Sequence, residues 1–509
     1  MNRRLTIAVA LTAIVAGAAV FLLQGAPADP LPWRDDLTAD ERRRVHEALA
    51  LGAVSDEQPF EAMSGGAGTA TTNLGRNAFS LPAKNLSLEG QQNFAVGNGL
   101  FRKIWVSSPS STQASDGLGP LFNARSCQRC HLKDGRGHPP ANRDDDATSL
   151  LLRLAVPETP ADLEAISKGK ALTATDPVYG GQIQDVAVPG LPSEGRVRVR
   201  YTEEDVALAG GEIVALRTPT FELESPGYGP LREDAVLTAR VAQPMIGLGL
   251  LEAIHPGDLE ALADPEDLNG DGISGRVQRV RDAVTGEWLI GRFGWKATAP
   301  SLRAQAADAF FNDMGISSSL HPAPFGECTS AQRGCLDAPN GVQPALSNFE
   351  ASDEVLDLVV FYSSNLAVPA RRRVSDPEVL AGKALFHDAG CAGCHQPNYV
   401  TRRDAEQPAQ QFQMIWPYTD LLLHDMGDAL GSHGQVGQAD GNEWRTPPLW
   451  GIGLTEAVSG HTQFLHDGRA RNLLEAIVWH GGEAEDSRDR VVAMSPEERR
   501  ALLTFLESL

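Results

Sequence analysis

Cysteine is scarce in this sequence, with six residues among 509. Four of the six lie in two pentapeptides, at residues 127–131 and 391–395, and each pentapeptide has the pattern Cys-x-x-Cys-His. Because almost no cysteine lies elsewhere, the pattern is not a chance product of a cysteine-rich chain.

Basic residues are also few relative to acidic ones. The 44 lysines and arginines are outnumbered by 66 aspartates and glutamates, which gives a formal net charge of −22. This balance argues against binding to nucleic acid or to an anionic membrane surface. It would suit a basic protein partner, although solubility explains an acidic surface equally well.

Long apolar runs are absent after the N-terminus, which leaves one candidate membrane segment. Arg3 and Arg4 precede an apolar run at residues 5–23, and small residues at 26–28 resemble a cleavage site before Asp29. We predict a secretory signal peptide at residues 1–28, with an uncleaved anchor as the alternative. Both alternatives place the rest of the chain outside the cytoplasmic membrane.

The two pentapeptides are typical of attachment sites for c-type haem. The paired thiols, Cys127 with Cys130 and Cys391 with Cys394, have the spacing to join the two vinyl groups of one porphyrin each. The histidine that follows each pair, His131 or His395, then becomes the proximal iron ligand. A thioredoxin-like redox site or a zinc site are the alternatives. No βαβ pattern surrounds either pair, and one zinc ion would have to join two distant pairs.

The remaining cysteines, Cys328 and Cys335, flank a short polar loop. In an oxidising compartment we expect them to form a disulfide, with two free thiols as the alternative.

The pattern of helices and strands predicts a mainly α fold with two cytochrome c-like haem domains. We expect an N-terminal arm at residues 29–85, a first haem domain at 86–350 and a second at 351–509. The first domain contains a long, partly β insertion. Alternating residues at 196–201 and 212–216, separated by Gly210 and Gly211, predict a β-hairpin there.

Helices are expected at residues 38–51, 88–105 and 376–386, and a capping box at Ser495 opens a C-terminal helix. An internal repeat aligns residues 244–254 with residues 448–458. The proline, both glycines, a leucine, the glutamate and the alanine are identical at equivalent positions of the two copies. The repeat indicates duplication of a haem-binding domain.

Beyond the pentapeptides, several motifs resemble those of the di-haem cytochrome c peroxidases and, more closely, the periplasmic di-haem oxidoreductase family. They lie at residues 116–123, 134–137, 416–427, 445–449, 464–469 and 475–480. The resemblance covers nearly all of the chain after the N-terminal arm. It implies peroxide reduction at the N-terminal haem, with electrons relayed by the C-terminal haem.

The motif at residues 464–469 departs from the peroxidase pattern in one informative way. In the peroxidases, a histidine in such a motif precedes the methionine that binds the C-terminal haem iron, and His480 stands at the corresponding position here. The resemblance therefore implies a second haem held by His395 and His480, with His424 and Met426 as rival ligands. For the first haem the sixth ligand stays open, and the candidates are His138, Met245 and His255.

Five basic residues are candidates for pairing with the haem propionates, with surface exposure as the alternative: Arg217, Arg292, Lys296, Arg445 and Arg469.

Residues 267–275 follow the first half of an EF-hand loop. Asp267, Asn269 and Asp271 offer side-chain oxygens, and Ile273 offers its carbonyl. Gln278 stands where the full motif has glutamate, so a calcium site and a metal-free turn both stay open.

Together these features predict a periplasmic di-haem oxidoreductase that reduces peroxide. The expected electron donor is a small cytochrome c or a copper protein. The alternatives are a di-haem oxygenase that acts on an apolar substrate and an electron-transfer cytochrome without catalysis. The distal acid or base that peroxide cleavage needs is not evident from the sequence.

Overall fold

The computed structural model describes residues 29–145, 149–344, 347–432 and 434–509. The predicted signal peptide at residues 1–28 lies outside these ranges. Among the described residues, no helix is long and apolar enough to cross a membrane. The chain divides into two compact units, Met1–Ala50 and Leu51–Leu509. The predicted domain boundaries near residues 85 and 350 stay a prediction.

The first unit holds one described helix. The helices of the described chain are α1 (Ala39–Leu49), α2 (Leu88–Phe101), α3 (Cys127–Cys130), α4 (Pro160–Ser167), α5 (Leu248–Glu252), α6 (Pro256–Glu260), α7 (Leu302–Met314), α8 (Arg333–Leu336), α9 (Asp353–Ser364), α10 (Pro377–Asp388), α11 (Thr455–Ser459), α12 (Leu473–Val478), α13 (Glu485–Ala493) and α14 (Pro496–Ser508).

The strands pair into two-stranded ribbons in the described residues. They are β1 (Val106–Ser107), β2 (Asp116–Leu118), β3 (Leu121–Phe122), β4 (Leu150–Ala155), β5 (Val186–Ala187), β6 (Arg196–Ala207), β7 (Ile213–Glu224), β8 (Val236–Val241), β9 (Arg279–Arg281), β10 (Trp288–Ile290), β11 (Tyr399–Val400), β12 (Met414–Ile415), β13 (Leu423–Asp425) and β14 (Glu443–Arg445).

The prediction of a mainly α fold is wrong. Helices make up 30% of the chain, strands make up 16%, and the sheets are many and small. The physical reason is that the long connecting segments form their backbone hydrogen bonds in short two-stranded ribbons instead of in helices. Such ribbons also occur after residue 351, as in β11–β12 and β13–β14, where the sequence predicted no strands.

The predicted β-hairpin is confirmed, and it is longer than expected. Strands β6 and β7 pair antiparallel over their full lengths, from Arg196 opposite Glu224 to Ala207 opposite Ile213. Gly210 and Gly211 both have φ of 84° in the turn, a conformation that only glycine adopts without strain.

The expected helix starts are confirmed, whereas the ends differ: α1 ends at Leu49 instead of residue 51, and α10 ends at Asp388 instead of residue 386. Thr38 forms a capping box with Glu41 before α1, and Ser495 does the same with Glu498 before α14. Helix α2 ends at Phe101 instead of Trp105, because the chain turns there toward strand β1.

Two pairs of crossed helices organise the core of the second unit. Helix α2 crosses α9 at Gly97, where an added Cβ would lie 2.2 Å from the carbonyl oxygen of Leu358. Helix α10 crosses α14 at Gly382, where a Cβ would lie 1.9 Å from the carbonyl oxygen of Ala501. In the sequence, α2 precedes the first pentapeptide and α9 follows it. In the same way, α10 precedes the second pentapeptide and α14 follows it. Both halves therefore use the same close helix contact.

The internal repeat has a structural counterpart. Gly247 and Gly451, which occupy the same position in the two copies, have φ of 68° and 73°. Gly247 lies against the ring of Trp450, and Gly451 lies against the side chain of Ile246. Because Ile246 and Trp450 are also equivalent positions, the two copies pack on each other in a reciprocal way.

We predict that Gly97→Ala destabilises the protein, whereas Gly99→Ala on the same helix does not. The first substitution forces two backbones apart, at a cost of about 1–3 kcal/mol in the free energy of unfolding. A Cβ at Gly99 meets nothing within 4 Å. There the gain in helix propensity, up to about 1 kcal/mol, acts alone. Denaturant unfolding of both variants tests this, and equal midpoints would contradict the close crossing.

Candidate functional site

Both pentapeptides line one continuous cavity with a volume of about 460 Å³. The predicted haem residues that line it are Cys127, Cys130, His131, Cys391, Cys394, His395 and His480. Residues that are hundreds of positions apart in the sequence are therefore brought to one internal space. Whether they hold haem stays a prediction.

The first pentapeptide is a single helical turn. Cys127 and Cys130 begin and end α3, and His131 follows with ψ of 62°, which ends the helix. The Nδ1 atom of His131 lies 2.8 Å from the carbonyl oxygen of Gln243. Burial lowers the pKa of His131 to about 4, so its ring is neutral at neutral pH.

The second pentapeptide follows helix α10. Gly390 has φ of 88° and turns the chain into a short 3₁₀ turn, Cys391–Gly393. The Nδ1 atom of His395 lies 3.0 Å from the carbonyl oxygen of Tyr418. Burial is the main cause that lowers the pKa of His395 to about 4. The second imidazole is therefore also neutral.

His480 lines the same cavity as His395. It follows helix α12, and its Nδ1 atom lies 2.7 Å from the carbonyl oxygen of Ala476. Burial lowers the pKa of His480. A positive charge on His480 would disfavour protonation of His395, and this repulsion contributes to the lowered pKa of His395.

The three histidines share one arrangement. Each places Nδ1 on a main-chain carbonyl, so that the ring proton is held there and the Nε2 lone pair is left for another partner. Metal-binding histidines are typically oriented by such a bond from the second ring nitrogen. The arrangement thus has the chemistry of an iron-ligand set.

The cysteines of the pentapeptides are half-buried, and their thiols are protonated. Burial raises the pKa of Cys127 and of Cys391 to about 12, and it also raises the pKa of Cys130 and Cys394. A redox-active cysteine needs the opposite shift, because the thiolate is the nucleophile. Cys328 and Cys335 form a disulfide, as predicted.

His424 is a poor candidate for the sixth ligand because carboxylates hold both of its ring nitrogens. Nε2 lies 2.8 Å from Asp420, and Nδ1 lies 2.8 Å from Glu483. Burial disfavours the charged ring, yet Asp420 and the nearby thiol of Cys394 keep the pKa of His424 well above its usual value.

The other rival ligands separate into two groups. Met245 and Met426 line the cavity. The Nδ1 atom of His138 lies 2.9 Å from the carbonyl oxygen of Pro139, and Nδ1 of His255 accepts a hydrogen bond from the amide of Gly257. Neither of these two histidines is among the residues that line the cavity.

His466 also lines the cavity. From the sequence, it was identified only as a member of the motif at residues 464–469. Its ring stacks on Trp444, with centroids 3.8 Å apart, and meets Trp295 edge-on. Burial lowers the pKa of His466 to about 3. The cavity wall thus contains a further neutral imidazole.

Buried and half-buried arginines supply the positive charge of the cavity wall. Burial lowers the pKa of Arg240 to about 9, and it lowers the pKa of Arg136, Arg292 and Arg445 to about 10. Arg153 lines the wall as well. Within the described ranges, none of the five forms a salt bridge with a carboxylate, and the Nε atom of Arg240 is buried with no hydrogen-bond partner. Carboxylates act on Arg136, Arg292 and Arg445 without forming salt bridges. An anionic group in the cavity would therefore stabilise these cations further.

Of the five basic residues selected from the sequence, Arg292 and Arg445 reach the cavity. Arg217 donates to the carbonyls of Gly468 and Arg469, Arg469 pairs with Asp467, and Lys296 donates to three main-chain carbonyls. Arg136, Arg153 and Arg240 also line the cavity, although they were not predicted from the sequence. Arg136 belongs to the motif after the first pentapeptide, which was the one available indication.

These residues fit two haem groups. Haem is apolar except for two propionate carboxylates, and it needs one or two axial ligands on its iron. The cavity offers neutral histidines with a nitrogen to spare, paired thiols and arginines that lack carboxylate partners.

The calcium-like loop lies beside the second pentapeptide. Within it, carboxylate and amide oxygens of Asp267, Asn269 and Asp271 accept hydrogen bonds from nearby backbone amides. Ile273 lines the cavity, and Ser274 donates to Glu483 over 2.7 Å. Calcium binding by the loop stays a prediction.

In the haem-loaded protein, we expect Arg240→Gln to lower a haem reduction potential, because a buried cation favours the reduced state. One lost interaction of about 1.4 kcal/mol corresponds to a shift of roughly 60 mV for one electron. Arg200→Gln is the control, since Arg200 is exposed and pairs with Glu222. Potentiometric titration measures both variants. An unchanged potential in Arg240→Gln would show that this arginine does not act on haem.

Comparison with known proteins agrees with this chemistry. A family model described as "Di-haem oxidoreductase, putative peroxidase" matches residues 60–509. No curated protein matches the chain. The match covers most of the sequence, and the chain therefore belongs to the di-haem oxidoreductase family.

Proposed function

We propose that the chain is a periplasmic di-haem c-type oxidoreductase that reduces peroxide to water. The observation that supports this most is the shared cavity, in which both Cys-x-x-Cys-His turns meet neutral histidines and unpaired arginines. Haem, when bound, supplies an iron that changes oxidation state and binds small oxidants.

The two sites differ in the number of predicted ligands. At the second site, His395 and His480 offer two nitrogens, and this arrangement would saturate an iron. At the first site, His131 is the single proximal candidate, and Met245 is the one sixth-ligand candidate that reaches the cavity. We infer that the oxidant binds at the first site and that electrons enter at the second.

The cysteine pairs fasten the cofactors and the arginines neutralise them. Cys127 with Cys130, and Cys391 with Cys394, would each form two thioether links. The wall arginines would pair with propionates, which removes the cost of burying both charges separately.

The proposed donor is a small periplasmic cytochrome c or copper protein. The net charge of −22 favours association with a basic donor through long-range attraction. The disulfide between Cys328 and Cys335 supports an oxidising compartment, where such bonds persist.

We expect hydrogen peroxide to be turned over by the haem-loaded protein with a reduced small cytochrome as donor. Replacing Cys127 and Cys130 by alanine removes the first attachment site and abolishes turnover. The control replaces Cys328 and Cys335, which also removes two cysteines but leaves both sites intact. Steady-state kinetics compares the three proteins. No turnover by the unmodified protein with any small donor would overturn the proposed reaction.

We also expect one low-spin and one high-spin iron in the electron paramagnetic resonance spectrum of the oxidised protein. His480→Ala converts the low-spin species to high spin, because it removes a nitrogen ligand. Two low-spin irons that bind neither cyanide nor, when reduced, carbon monoxide would indicate an electron-transfer cytochrome instead. A stable oxygen adduct in the isolated protein would indicate the oxygenase alternative.

A further inference from the structure

The long hairpin β6–β7 ends against helices that belong to the half with the second pentapeptide. At its turn, the amide of Ala209 donates to the carbonyl of Val492 over 2.9 Å. Arg499 of helix α14, which is buried, donates to the carbonyl of Ala209 over 2.6 Å and to the carboxylate of Glu212 over 3.0 Å. The hairpin turn is therefore fixed to the C-terminal helices by directed bonds.

Apolar residues beside the turn pack on the helix that precedes His480. Leu208 and Val214 form a buried cluster with Val478 of helix α12, and Leu474 packs against the same cluster. Val478 lies two positions before His480. The hairpin thus covers the face of α12 that leads directly into this histidine.

Arg471 joins the start of α12 to both hairpin strands. Its guanidinium donates to the carbonyl of Ala215 in β7 over 2.6 Å and to the carboxylate of Glu203 in β6 over 2.7 Å. It also donates to Glu475 over 2.9 Å. Asn472 caps the helix through the amide of Glu475. Through Arg471, the first turn of α12 is therefore hydrogen-bonded to both strands of the hairpin.

The orientation of His480 depends on these contacts. Helix α12 has six residues, too few to be stable without tertiary packing. The bond from Nδ1 of His480 to Ala476 orients the ring relative to the helix, so the orientation of the helix sets the direction of Nε2.

We propose that the β6–β7 hairpin is a positioning element for His480, with Arg471 as its main polar contact. This inference rests on the proposed function, in which His480 binds the second haem iron. Within the part of the chain that the structure describes, Arg471 is not among the residues that line the cavity, so it acts through the helix. The inserted hairpin of the first half would thereby determine the iron coordination of the second.

The test compares Arg471→Ala with Arg200→Ala in the full-length, haem-loaded protein. Arg200 pairs with Glu222 across the same hairpin, away from its turn, and is exposed. In Arg471→Ala we expect part of the low-spin signal of the second haem to be lost. Cyanide affinity at that iron should rise roughly tenfold, because an endogenous ligand that is held less firmly competes less well. Hydrogen exchange at residues 473–480 should also become faster.

Two further variants make the outcomes distinct. Leu208→Ala, which trims the apolar contact, should weaken the low-spin signal even if Arg471→Ala loads haem poorly, and Arg471→Lys should restore it in part. If Arg471→Ala and Leu208→Ala keep the unmodified spectrum and cyanide affinity while His480→Ala loses the low-spin signal, the hairpin has no positioning role. If His480→Ala keeps that signal, the proposed ligation itself fails and the inference with it.

Discussion

The buried charge of the cavity is the constraint on which the rest of the structure depends. Arginines such as Arg240 and Arg445 lie in the wall with main-chain, amide or no hydrogen-bond partners instead of carboxylates. An anionic group in the cavity would offset that cost. Neutral histidines with Nδ1 on main-chain carbonyls leave Nε2 available to a metal. A carboxylate-bearing metal porphyrin would satisfy both groups of residues, in agreement with the family to which the chain belongs.

The two parts of the chain that carry the pentapeptides share the same close contacts. Each half has a helix crossing made close by a glycine, Gly97 or Gly382, and each half carries one copy of the repeat. The copies pack on each other through Ile246 and Trp450, both of which line the cavity. The two attachment turns are therefore fixed relative to one another by the protein core. Electron exchange between two cofactors needs such a fixed arrangement.

The sequence predicted what local chemistry determines. The capping boxes at Thr38 and Ser495 and the Gly210–Gly211 hairpin are each read from a few adjacent residues. The same holds for the Cys-x-x-Cys-His pattern, for which haem attachment stays a prediction. The mainly α fold was wrong because the short ribbons, such as β13–β14, pair segments with no strong alternation of their own. Arg153 and Arg240 were missed for a related reason. They reach the wall through pairing of β4 with β8, which no local pattern reveals.

Intact-mass measurement of protein matured in a host that attaches haem tests the central claim most directly. Two covalently bound groups add about 1.2 kDa to the polypeptide. Replacing Cys391 and Cys394 by alanine should remove half of that addition, and replacing Cys328 and Cys335 should remove none of it. A polypeptide mass without the addition would contradict the account, because the histidines and arginines of the cavity would then lack the partner assigned to them.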